Sequence, residues 1–372
     1  MARSTPFIFL ITLISSSTLA KATYNIVDFG AQPDGLTDSS GPITSAWAKA
    51  CSSVRPASVY IPVGTFYVSR LTLKGPCNNT DIRIYIHGTL VAPVGYNTDD
   101  RWIGIQFVDG VSVYGGVFDG RGQRLWSCKL AAGYSCPLGA TVSLKNPLQI
   151  LTIGPMDYEL TICVYMFAQS IAISRSRMGE ADQVTITGSY IRTGDDCVSM
   201  GPGSTNVWIE GIHCGPGHGV SIGSLGSTAQ EPGVQNVTVK SVVFTGTQNG
   251  LRIKTWAKPN TGFVQRVNFQ NAIMRNVQNP IIIDQSYCPG AINCPTQSSG
   301  IRISQVTYSN IQGSSATPVA VKFDCSPSNP CNGIGLQNVN LTYGRTPAQS
   351  LCRNVAGSTT SGIVVPPSCF GT

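Results

Sequence analysis

Val184-Thr185-Ile186 is followed, eleven residues from its first valine, by Asp195 of Thr193-Gly194-Asp195-Asp196-Cys197, and then by Val198-Ser199-Met200. Val207-Trp208-Ile209 is followed at the same offset of eleven by His218 of Cys214-Gly215-Pro216-Gly217-His218-Gly219, and then by Val220-Ser221-Ile222. Alternating apolar and polar residues read as strands. Two strand–turn–strand units that share an offset read as stacked coils. Neighbouring strands lie about 5 Å apart, so an acidic pair and a histidine are expected one strand spacing apart on a single face, a setting suited to acid chemistry.

The apolar-x-apolar unit recurs further along the chain as Val237-Thr238-Val239, Val267-Asn268-Phe269 and Ile301-Arg302-Ile303, at successive intervals from Val184 of 23, 30, 30 and 34 residues. Second strands follow in the same rhythm: Leu251-Arg252-Ile253 and Ile281-Ile282-Ile283 join Val198-Ser199-Met200 and Val220-Ser221-Ile222. Two or three strands per repeat with no helix between them suit a parallel β-helix. A leucine-rich repeat lacks its Leu/Asn consensus here, and a propeller blade needs a longer repeat. With 40 glycines and 23 prolines the chain disfavours helix bundles and doubly wound folds. Helical periodicity stands out once, over Pro42 to Cys51, where Ile43, Trp47 and Ala50 share a face behind Asp38-Ser39-Ser40. The fold class expected is all-β, a single-stranded parallel β-helix whose short N-terminal helix caps one end and hides strand edges.

Residues 1–22 carry Arg3, the apolar run from Phe7 to Ile14 and the small-x-small site Ala20-Lys21-Ala22. They read as a cleaved secretory signal, too short for a membrane span, and no later stretch is long and apolar enough to cross a bilayer. The β-helix domain is then 23–372. Loss of Arg3 and Lys21 without any acid lowers the formal net charge from +7 to +5. A modest basic excess without dense Lys/Arg clusters points away from nucleic acid. Thirteen cysteines in an exported chain imply disulfides. Close neighbours are Cys128 with Cys136, Cys288 with Cys294, Cys325 with Cys331, and Cys352 with Cys369, and Cys163 is the candidate for the odd thiol. No Cys-x-x-Cys or zinc-like His/Cys grouping occurs, so neither metal nor other cofactor is expected. Sequons at Asn78, Asn236 and Asn340 fit a secreted glycoprotein. Nothing in the pattern suggests an oligomer, and a monomer is expected.

An isolated Asp-Asp pair is ordinarily a solvated turn. Stacked beside His218, Asp195 and Asp196 suit hydrolysis of a glycosidic bond, because like charges held close push one carboxyl pKa up and so divide acid from base. Lys254 lies seventeen residues after Val237 and Asp284 seventeen after Val267, which makes these two vertical neighbours. Arg252 shares the outward face of Lys254. Two cations in a groove with catalytic acids suit a substrate that bears carboxylates, which arginine can grip bidentately. Tyr287 is placed to stack on or hydrogen-bond to a sugar ring.

The chain resembles glycoside hydrolase family 28, the polygalacturonases, and most closely their secreted plant members. The matching strings are Asn25-Ile26-Val27-Asp28-Phe29-Gly30-Ala31, Asp119-Gly120-Arg121-Gly122, Thr193-Gly194-Asp195-Asp196-Cys197, Gly217-His218-Gly219-Val220-Ser221-Ile222-Gly223-Ser224-Leu225-Gly226 and Arg252-Ile253-Lys254. The resemblance implies a right-handed, pectin-lyase-like β-helix and metal-free hydrolysis of α-1,4-galacturonan, the homogalacturonan of pectin, with inversion. It implies Asp195 as general acid, Asp196 as a holder of the attacking water and His218 beside the acid. Arg252 and Lys254 would bind the galacturonate carboxylate and Tyr287 the sugar. A secreted, cell-wall location with no nucleic-acid or membrane partner follows.

The chain departs from the family in one respect. The family's third carboxylate, from an Asn-Thr-Asp-Gly string about one coil before the acid pair, has no counterpart here. No Asp or Glu occurs from Leu160 to Gly179, and Asn97-Thr98-Asp99 lies several coils too early. The apolar units at Leu160, Ile171 and Val184 are only 11 and 13 residues apart, too short for a full coil. Either Glu180 or Asp182 replaces the missing acid, or an altered splice or reading frame has replaced about one coil. The short spacing favours the second. An impaired pectin-binding β-helix is the alternative to the hydrolase. A β-helical lyase is a third reading, which the acid pair beside Gly217-His218-Gly219 argues against.

Overall fold

The computed structural model describes residues 22–94, 102–106, 108, 110–121, 142–145, 151–154, 171–173, 181–193, 195–289 and 293–370. Residues 1–21 of the expected signal, Asn97-Thr98-Asp99, Gly122, Cys128, Cys136, Cys163 and Glu180 lie outside them, as does all of Leu160 to Ser170.

The strands stack in parallel as the repeat requires. Val184 pairs with Val207, Val207 with Val237 and Val237 with Val267, each in register. Their β-branched side chains point inward and are almost fully buried, which suits a pleated surface. Among the described residues the second strands form a smaller sheet of ten strands, all paired in parallel, in which Val198, Val220, Leu251, Ile281 and Val321 stack on one another. Between the two walls lies one continuous core. Each inward Val, Ile or Leu contributes about 1.5–3 kcal/mol, and the polar residue between two such positions faces outward. The chain is a parallel β-helix.

A 13-residue helix, α1 (Ser40–Ser52), buries Ile43, Ala46, Trp47 and Ala50. It packs on the first strand, Ala22–Asn25, at the N-terminal end of the coil, where it covers strand edges. The Trp47 indole Nε1 donates to Lys74 O at 3.1 Å. The start of the helix is held by Asp38, whose Oδ1 accepts from Ser40 N at 3.0 Å, and not by the N-cap Ser39, whose side chain makes no cap bond.

Two expectations about spacing are corrected. Val267 stacks on Val306, 39 residues on, while Ile301 and Ile303 pair with Gly262 and Val264. The turn before this strand is long enough to displace the repeat count by five residues. Upstream, Ile171 belongs to the smaller sheet and stacks on Val198, whereas the partner of Val184 is Leu151. The interval from Leu151 to Val184 is 33 residues, within the range of the other stacked pairs.

Among the described residues, disulfides join Cys288 to Cys294, Cys325 to Cys331 and Cys352 to Cys369, as the spacing suggested. Cys51–Cys77 and Cys197–Cys214 were not evident from sequence proximity. Coil stacking brings these pairs together. Among the described residues no helix is long and apolar enough to cross a membrane.

Candidate active site

The acid pair sits in a turn, one residue from the strand Val198–Met200, rather than on a sheet face. That turn is built on the one above it. Thr193 N donates to Pro216 O at 3.0 Å, Cys197 N to Gly219 O at 2.7 Å, and His218 N to Asp195 O at 2.6 Å. The close approach explains the two glycines around His218. A Cβ on Gly217 would lie 3.1 Å from Thr193 Cγ2 and 3.2 Å from Asp195 O. At Gly219, with φ +93°, it would lie 2.1 Å from Asn249 O, which no side chain can accept. The Cys197–Cys214 disulfide clamps the same two turns.

Within this frame Asp195 Oδ1 lies 3.2 Å from His218 Nδ1, with both side chains about two-fifths exposed. The same oxygen accepts from Asp196 N at 2.8 Å. The equal offsets from Val184 and Val207 therefore translate into contact.

Asp196 is placed differently from the sequence expectation. It is 2% exposed, and both of its oxygens are taken. Oδ1 accepts from Arg252 Nη2 at 2.5 Å and from Ser221 Oγ at 2.8 Å, and Oδ2 accepts from Lys254 Nζ at 2.6 Å. Arg252 Nε also donates to Ser221 Oγ at 2.9 Å. Arg252 and Lys254 are thus buried against the acid pair, gripping a carboxylate of the protein itself. The four side chains satisfy one another, as buried charges must.

The electrostatics follow from this clamp. Burial pushes the Asp195 carboxyl up, but the hydrogen bond and charge of His218, the Asp196 amide and Lys254 together hold it below its ordinary value. The elevation of one carboxyl by a like charge, expected of the pair, does not fall on Asp195, since Asp196 comes with two cations. Burial lowers Lys254, although Asp196 opposes the shift. Tyr287 stands at the edge of the cluster, its ring 5.1 Å from Lys254 Nζ, and burial raises its phenol.

The structure brings Asp195, Asp196, His218, Arg252, Lys254 and Tyr287 together. Of the proposed substitutes for the missing acid, Asp182 lies on a strand of the larger sheet, paired with Thr205, away from the smaller-sheet strands that carry the site. Two neighbours, Ser221 and Trp256, were not singled out from the sequence. Ser221 is outward between Val220 and Ile222, in the same column as Arg252. Trp256, two residues beyond Lys254 on the same face, meets the Tyr287 ring edge-on at 5.5 Å. Period-two alternation was the signal that could have found Ser221 and Trp256. Asp284 pairs in register with Lys254, as their equal offsets of seventeen residues predicted. Asp195, Asp196 and His218 offer ligand atoms within 4.8 Å of one another. With both Asp196 oxygens committed, they leave a cation only one free carboxylate and an imidazole.

A family model for glycosyl hydrolases family 28 matches residues 51–144 and 175–363. The chain belongs to this family. As a family 28 glycoside hydrolase, it also matches, over residues 23–75, a model described as rhamnogalacturonase A/epimerase, pectate lyase-like. It is 48% identical to a polygalacturonase of Prunus persica, over 96% of each chain. It is 36% identical to an exopolygalacturonase of Oenothera organensis, over 90% of this chain and 98% of that one. Among solved structures, the endo-xylogalacturonan hydrolase from Aspergillus tubingensis superposes with a TM-score of 0.66 at 22% identity, covering 92% of this chain and all of that one. The endopolygalacturonase I of Stereum purpureum, complexed with two galacturonates, gives 0.57 at 21% identity over 82% and 94%. These structures share the fold. The family match skips residues 145–174.

Proposed function

We propose that this chain is a secreted polygalacturonase that hydrolyses α-1,4-galacturonosyl bonds of pectin by an inverting acid/base mechanism, with homogalacturonan as substrate and the plant cell wall as its site of action. Residues 23–372 act as one β-helix domain behind a cleaved leader, and the protein works as a monomer. The disulfides among its described residues suit an oxidising, extracellular compartment. The observation that carries the reading is the contact of Asp195 with His218 beside a buried carboxylate held by arginine and lysine, in a chain 48% identical to a polygalacturonase. That combination does not favour an impaired pectin binder.

Asp195 donates its proton to the leaving glycosidic oxygen, and His218 tunes its proton affinity. Arg252 and Lys254 are partners that Asp196 and a galacturonate carboxylate compete for. When an incoming carboxylate draws them away, an Asp196 oxygen becomes free to hold the attacking water, so binding and activation of the base are one event. The loss of Lys254 from its surroundings and the arrival of an anion also raise the proton affinity of Asp195, which readies it as an acid. Asp195 and Asp196 atoms lie within 4.8 Å, closer than the roughly 6.5–9.5 Å that leaves room for water between two carboxyl groups. The water therefore sits to the side of Asp196, not between the acids.

Reducing-end release from polygalacturonate, with Asp195→Asn as the blank, tests the reading, and proton NMR of the first product anomer tests inversion. An α product first, from an α bond, would overturn the inverting step. No release by the folded protein would overturn the hydrolase.

A further inference from the structure

Outward positions of the smaller sheet form a vertical column in which Lys254 pairs with Asp284, Asp284 with Asp324, and Asp324 with Arg353. Their strand neighbours Ile253, Ile283 and Phe323 are fully buried inward, so by period-two alternation the four charged residues share the outward face of the smaller sheet. The four cations around this column are committed. Arg252 and Lys254 hold Asp196, while Lys322 at 3.6 Å and Arg353 at 3.8 Å hold Asp324. Asp284 has no cation within ion-pair distance among the described residues. Its Oδ1 accepts only from Ser286 N, at 2.9 Å. Burial raises its carboxyl above the ordinary value, as expected of an acid with no partner.

We propose that Asp284 is a specificity-determining residue, which makes the part of the groove one strand beyond Lys254 reject an ionised uronate and accept an uncharged ring, a methyl-esterified galacturonate or a neutral sugar. The inference rests on the pectin-hydrolase reading and deepens it. A galacturonate held by Arg252 and Lys254 lies one strand spacing, about 5 Å, from Asp284. A second free carboxylate carried over Asp284 would meet a partly buried like charge, and such a juxtaposition is costly away from bulk water. An esterified ring brings no charge, and its hydroxyls can donate to the unused Asp284 Oδ2, since an ionised carboxylate only accepts. The groove is then cationic where the scissile ring is gripped and anionic one strand further on.

The test is a calorimetric comparison of de-esterified oligogalacturonides with their methyl esters, in an Asp195→Asn background that prevents turnover. Asp284→Asn keeps the acceptor for Ser286 N and removes the charge. It should tighten binding of the free acid about tenfold while leaving the ester within a factor of about two. Asp284→Ser, smaller and also neutral, should do the same, and Asp284→Glu should keep the original preference. Equal changes on both ligands, or none, would overturn the proposal. Reducing-end release from both polymers by the native chain is read separately. Absence of turnover on either polymer counts against the hydrolase, while the binding ratio still decides the role of Asp284.

Discussion

Asp195 and Asp196 are neighbours in sequence with opposite surroundings, and their substitutions should fail in different ways. Asp195→Asn removes the proton donor from a half-open turn. It should lower kcat by about 10²- to 10⁴-fold with little change in melting temperature, as read by reducing-end assay and thermal denaturation. Asp196→Asn leaves Arg252 and Lys254 buried without their counter-charge and should cost about 3–5 kcal/mol in urea unfolding. The low pKa of Asp195 in the free protein predicts that kcat/KM falls as pH rises above it, so the profile should peak in the acid range. For stability the sign is the reverse. A depressed carboxyl contributes above its unfolded pKa and loses that contribution as pH falls through the folded one. Asp284 has a raised pKa, so the native state holds its proton longer and stability drops as pH rises through that window. Asp284→Asn should therefore raise the melting temperature at pH 7 and not at pH 3. At this scale the Asp195–His218 contact was legible in two equal offsets. The burial of Asp196 was not, because alternation cannot say which of two adjacent turn residues faces in, and long side chains from two coils away decide it.

The turns at Thr193–Cys197 and Cys214–Gly219 form the element on which the site depends. Gly219→Ala forces a Cβ onto the Asn249 carbonyl oxygen and should yield little folded protein, which expression and circular dichroism would show. Replacing Cys197 and Cys214 together by alanine removes a cross-link over 17 residues. It should cost about 3 kcal/mol, measured against the intact protein in urea. The strands and the helix could be read from period and composition because their signals are local. Ile301-Arg302-Ile303 was assigned to the wrong rung because interval counting assumes turns of similar length, and the turn after Tyr287 is longer. The Ile171 unit was misread because a single short apolar unit does not show which of the two sheets it joins. The Cys51–Cys77 and Cys197–Cys214 pairs escaped because stacking, and not nearness along the chain, makes them close.

On the scale of the molecule, the parallel β-helix was legible from repetition alone, since each coil repeats the same strand–turn–strand order and buries one face. In such a solenoid each coil is stabilised mainly by its immediate neighbours. The ion cluster is an exception, because Asp196, Ser221 and Arg252 come from three successive coils. Fraying that begins at either end and unzips coil by coil meets a rivet there. The middle of the chain should come apart in one step, and hydrogen exchange should place Val198–Met200, Val220–Leu225 and Asn249–Trp256 among the last amides to open. Under partial denaturation, the groove outlives the ends of the rod, so a molecule that has lost its outer coils can still carry an assembled catalytic cluster.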